Sequence, residues 1–191
     1  MPRTKEQFEL LRKESRQKIQ DAALEVFARQ GYHSSTVSSI AKAAGVSQGL
    51  LYNYFKSKED VLRQLMTGMI SDVMAKYLPF KPGDKITRKD FINVINFSVD
   101  VVLEKPSYWK LYFSIFVQPE VMSIVMDEVM KMSEPYLKTF TRYFADKGDK
   151  DPVTMLRYFS AVMDGIQLHC MIDPETFPAD KIKKLLIKQF A

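Results

Sequence analysis

The stretch TVSSIAKAAGVSQGLLYNYF, Thr36 to Phe55, decides the fold. Thr36 can N-cap a short helix over about 37–44, in which Ile40, Ala41 and Ala44 share one face. Gly45 then supplies a residue that tolerates positive φ where the chain must turn tightly. Ser47 can cap a second helix from Gln48 to about Tyr54, with Leu51 on its inner side and Phe55 closing the unit. Two helices joined by so short a turn must cross steeply, which is the helix-turn-helix arrangement.

Working outward, Ile19, Ala22, Ala23, Val26 and Phe27 recur at i, i+3, i+4, i+7 and i+8, one apolar face of a preceding helix that Gly31 ends. On the other side, Ser57 and Asp60 match a capping box that opens a long helix, about 58–78, carrying Leu62, Leu65, Met66, Met69, Ile70, Val73 and Tyr77. Pro79 to Lys85, with Pro82-Gly83-Asp84, reads as a turn and a boundary. Everything beyond it also reads helical: about 88–104, a helix from Pro106, one from Pro119 to about Phe144 with Pro135 as a kink or break, then 152–172 and 179–190. The expected fold is all-α. A three-helix DNA-binding module of the helix-turn-helix type, residues 1–56, precedes an all-helical effector-binding and dimerisation domain, residues 57–191.

Composition narrows the function classes. Hydrophobic residues make up 46% of the 191, enough to fill a core, and the single cysteine, Cys170, excludes an intrachain disulfide and a Cys-rich metal site. The charged stretch Met1 to Glu14 lacks an apolar signal core and no later run is long enough to span a membrane, so a cytoplasmic protein is expected. Residues 1–66 hold 11 Lys and Arg against 7 Asp and Glu, whereas the remainder holds 17 against 16. A basic end on a near-neutral remainder suits a nucleic-acid footprint, although an unevenly solvated surface has the same charge pattern.

An enzyme is not expected. Asp164, His169 and Cys170 are the one cluster with catalytic residue types, and helical neighbours lie about 100° apart, so His169 and Cys170 cannot form a nucleophile and base. No Gly-rich phosphate loop or G-x-S-x-G elbow is present, and no cofactor or metal site is expected. The segment 152–172 is apolar on several faces and must therefore be buried on several faces. A second copy is one natural cover, with Phe159, Val162, Ile166, His169, Ile182, Leu185 and Leu186 as candidate interface residues; packing within one chain is the other. Trp109, Tyr112, Phe113, Phe116, Met122, Met126, Phe140, Met163 and Gln167 could line an effector pocket or simply fill the core.

Ile19, Ala22-Ala23, Phe27, Gly31-Tyr32, Thr36, Ile40-Ala41, Ala44-Gly45-Val46-Ser47, Gly49, Leu51-Tyr52, Tyr54-Phe55, Ser57-Lys58-Glu59 and Leu62 together resemble the tetracycline-repressor (TetR) family over about residues 15–66. The resemblance implies a homodimeric repressor that binds a palindromic duplex operator, with half-sites about one or more helical turns of roughly 34–36 Å apart. It also implies release by a small molecule, here apolar or aromatic. An effector-independent DNA-binding or protein-interaction module is the alternative. Thr36 and Ser47 are natural phosphate seats or plain caps, and Tyr52, Tyr54 and Lys58 resemble the family's phosphate contacts, with core packing the alternative for the two tyrosines. Gln48 can pair with adenine, as can Asn53 if it faces the groove; Gly49 is a further candidate contact within the motif, and Leu50 offers only apolar contact.

Overall fold

The structure is a computed structural model that describes residues 4–191, the side chains of Lys5 and Tyr77 excepted. The expected apolar role of Tyr77 therefore lies outside the described residues. Nine helices and no strand are found among those residues: α1 Lys5–Gln30, α2 Val37–Ala44, α3 Gln48–Tyr52, α4 Lys58–Tyr77, α5 Arg88–Glu104, α6 Pro106–Phe116, α7 Pro119–Asp146, α8 Pro152–Ile172 and α9 Ala179–Phe190. The all-α expectation is met, and α2 and α5 fall at the expected bounds.

The chain forms two compact units, one of residues up to Met69 with Leu111–Met126, the other of Ile70–Lys110 with Asp127–Ala191. The division thus falls inside α4, neither at residue 56 nor at the Pro79–Lys85 turn. A helix carries its backbone bonds straight through such a point, whereas side chains choose the core they join.

In the first unit, Ile19, Ala23, Leu24 and Phe27 of α1, Ile40, Ala41 and Ala44 of α2, Leu51 and Phe55, and Val61, Leu62, Leu65 and Met66 of α4 are buried. α1 starts well before its apolar stripe, at a complete capping box between Thr4 and Gln7. Its first turns expose Phe8, Leu10 and Leu11. At the start of α4, Ser57 accepts from Asp60 N as expected, but the Asp60 carboxylate reaches back one residue further, to Lys56 N at 2.8 Å.

The second unit is built around Phe91 of α5, which stacks on Tyr143 at 4.3 Å and 9° and meets Phe140, Phe144 and Phe159 at 6.1, 5.5 and 5.0 Å. α7 is not broken at Pro135. Proline forfeits one backbone bond, yet Tyr136, Phe140, Tyr143 and Phe144 beyond it all join this core, and their burial keeps the helix going.

Two candidate interface residues are corrected by this core. Phe159 and Leu186 are 7% and 3% exposed and belong to it, so their own chain already covers them. Val162, Ile166 and Ile182 pack against it from its edge, while His169 and Leu185 remain exposed. The outward face of α8 is instead Val153, Arg157, Ala161, Asp164, Leu168 and Ile172. Cys170 is fully buried and its thiol is pushed up by that burial, whereas His169 points outward and lies parallel to Phe177 at 6.0 Å. The two side chains diverge, as their spacing on one helix requires.

Candidate DNA interface

Three local devices aim the helix-turn-helix. Thr36 accepts from Ser39 N at 3.0 Å while Ser39 Oγ accepts from Thr36 N at 3.0 Å, a closed capping box that fixes the first turn of α2. Gly45, at φ 62° and ψ 38°, ends α2 in the left-handed region, where its N–H reaches back to the Ala41 and Lys42 carbonyls. Ser47 then caps α3 by accepting from Leu50 N at 3.1 Å. Because Leu51 is wholly buried, the other residues of α3 are forced outward.

The result is a contiguous exposed surface. Ser47, Gln48, Gly49, Leu50, Tyr52 and Asn53 are all exposed, Tyr52 at 54% and Leu50 at 36%, and Thr36 is exposed at the head of α2. These residues offer hydroxyls, two amide side chains and a phenol, the groups that bond phosphate oxygens and base edges. Tyr54 is half-buried, with Phe55 6.4 Å away and the Arg12 guanidinium over its ring at 5.9 Å.

Lys58 sits differently from what the sequence suggests. Its ammonium donates to the carbonyls of Tyr32 at 2.8 Å, His33 at 3.2 Å and Ser35 at 2.9 Å, and it lies 4.3 Å from the Tyr32 ring centroid. An ammonium has three N–H groups, so none remains for a phosphate while this arrangement holds. Lys58 thus staples the α1–α2 turn to α4. Arg12 and Arg16 of the long α1 were not foreseen at this surface; Arg16 lies over the Phe55 ring at 5.9 Å and bonds Gln64.

The nine candidate effector residues are divided between the units. Tyr112, Phe113, Phe116, Met122 and Met126 belong to the first, and Trp109, Phe140, Met163 and Gln167 to the second. Trp109 Nε1 donates to Val101 O at 2.8 Å, Gln167 Nε2 to Ser98 O at 3.1 Å, and Met163 is buried in the aromatic core. Among the described residues of the second unit, one open cavity of about 430 Å³ lies beside Met74, Phe80 and Tyr136 and another of about 380 Å³ between α7 and α8, and none of the nine lines these two. Asp164 lines the open mouth of the latter, and partial desolvation there moves its carboxyl upward from its ordinary value although the residue remains exposed. No group of three or more potential ligands for a metal occurs among the described residues, nor is any helix there long and apolar enough to cross a membrane.

A capped α2–α3 pair with an outward polar face on an all-helical chain defines a helix-turn-helix protein. Residues 19–65 match the model of the bacterial regulatory proteins, tetR family, and the chain carries the N-terminal module of that family. It is 62% identical over 47 residues to the fatty acid metabolism regulator protein of Bacillus subtilis, a match covering 25% of this chain and 24% of that one. It is 37% identical over 91 residues to the HTH-type transcriptional regulator AcrR of Shigella flexneri, covering 45% and 42%. These matches span less than half of either relative. In fold, it resembles the transcriptional regulator FadR of Bacillus subtilis, solved with stearoyl-CoA, with a TM-score of 0.70, 22% identity and coverage of 90% of this chain and 95% of that one.

Proposed function

We propose that the protein is a transcriptional repressor that binds a palindromic duplex operator as a homodimer and releases it when a small apolar molecule binds. The observation that carries the reading is the outward face of α3, where Gln48, Tyr52 and Asn53 stand exposed around a buried Leu51. Gln48 reads a base, Tyr52 and the two capped helix starts hold phosphates, and Leu50 makes apolar contact. Selection of bound duplexes from a random pool tests this. Gln48→Ala is expected to lose preference at one base pair, with discrimination falling by about 1–3 kcal/mol; an unchanged selected sequence removes Gln48 from the readout.

The first effector to test is a long-chain acyl group or its thioester, because one relative is named for fatty acid metabolism and one structural neighbour holds stearoyl-CoA. A ligand releases the operator only if it binds the non-operator conformation more tightly. Titrating acyl thioesters of increasing chain length against the selected complex reads this directly, and an operator complex indifferent to every small molecule supports the effector-independent module instead.

Two copies join, in this reading, through the outward face of α8 and the exposed Leu185 of α9. Ile172 and Leu185 are 62% and 61% exposed, a large apolar area to leave in water. Replacing Leu185 with glutamate is expected to shift the sedimentation of the protein from dimer to monomer at micromolar concentration. A dimer that persists unchanged moves the interface elsewhere.

A further inference from the structure

The turn that feeds the helix-turn-helix is completed by a residue far away in the sequence. Gly31, at φ 77°, ends α1, and the N–H of Tyr32 just beyond it, partly buried, needs an acceptor. That acceptor is Gln118 Oε1, at 3.0 Å in a partly buried bond, 86 positions along the chain.

Gln118 is built to serve this purpose. It lies in the short break between α6 and α7, and its Nε2 donates to Ser114 O at 3.2 Å, which turns Oε1 toward Tyr32. The segment around it is anchored in the same unit, since the buried Tyr112 hydroxyl donates to Met66 O of α4 at 3.2 Å. Glu120 stands 3.6 Å from His33 Nδ1 on the same turn, but both side chains are largely exposed and the pair contributes little. Lys58 takes the carbonyls of the turn and Gln118 its leading N–H, so the backbone is fixed on both polarities immediately before Thr36 caps α2.

We infer that Gln118 is a positioning residue for DNA binding: it contacts no DNA but sets the turn from which α2, and with it α3, departs. The inference rests on the regulator reading above. It extends the working DNA-binding unit beyond the matched residues 19–65 to the α6–α7 junction.

The test uses the full chain with Gln118→Met, which keeps the volume and removes the acceptor, and Gln118→Glu, which keeps an acceptor oxygen. Affinity for the duplex selected by the wild type is expected to fall roughly tenfold in Gln118→Met and to be largely restored in Gln118→Glu. The slope of affinity against salt and the selected sequence should not change, because no phosphate or base contact is lost. Hydrogen exchange at the Tyr32 amide should quicken in the methionine variant alone, at a melting temperature close to that of the wild type. Wild-type affinity in Gln118→Met, or equal loss in both variants, overturns the inference. If the wild type selects no duplex, the regulator reading fails instead, and Tyr32 exchange still decides whether Gln118 holds the turn.

Discussion

Replacing Lys58 with methionine is expected to destabilise the first unit by about 1.5–3 kcal/mol, the range for losing hydrogen bonds that involve a charged group. The substitution leaves the carbonyls of Tyr32, His33 and Ser35 without their shared donor and removes a cation from the Tyr32 face. Operator affinity should fall with it, because only the N-cap Thr36 separates this turn from α2. Thermal unfolding combined with a salt series separates the staple from a phosphate contact. A staple lowers the melting temperature and leaves the salt slope unchanged; a phosphate contact reduces the slope by about one and leaves stability alone.

Truncating Phe91 to alanine is expected to cost about 3–5 kcal/mol, the range for deleting a fully buried aromatic side chain. Phe91 is inaccessible and contacts four other aromatic rings from α7 and α8, so little can collapse into the space it leaves. Denaturant unfolding followed by near-ultraviolet circular dichroism reads the loss of this cluster. A cost below about 1 kcal/mol would mean that the ring is not the hub of the second unit.

The helix-turn-helix was legible because its signals are local. Thr36, Gly45 and Ser47 stand within one turn of the structures they start or stop, and Ile40 and Leu51 mark the inner side, so α2 follows from a dozen residues. The first turns of α1 were less legible for a physical reason. A helix that buries nothing has no apolar stripe, and only the Thr4–Gln7 box announces it.

Long-range choices were not readable. Nothing near Lys58 says that its flexible stem folds back onto the carbonyls of residues 32–35, and nothing near Gln118 says that it faces Tyr32. The apolar residues of α8 announced burial on several sides without saying which side the chain itself would cover; Phe159 went to the core and Ile172 to the surface. The unit boundary was hidden for the same reason. α4 runs unbroken from Lys58 to Tyr77, and Gly68, which adjoins the division at Met69, keeps its helical conformation and does not break the helix there.

In the function we propose, the outward face of α2 and α3 grips duplex DNA largely through its phosphates. Equilibrium affinity for the selected duplex, measured across salt concentration, tests it most directly. If the basic residues of the first 66 positions, 11 Lys and Arg per chain, neutralise about six phosphates across a dimer, log affinity falls in a straight line against log salt, with a loss of roughly a thousandfold between about 50 and 200 mM. An affinity that does not change with salt would rule out phosphate-based binding by this face.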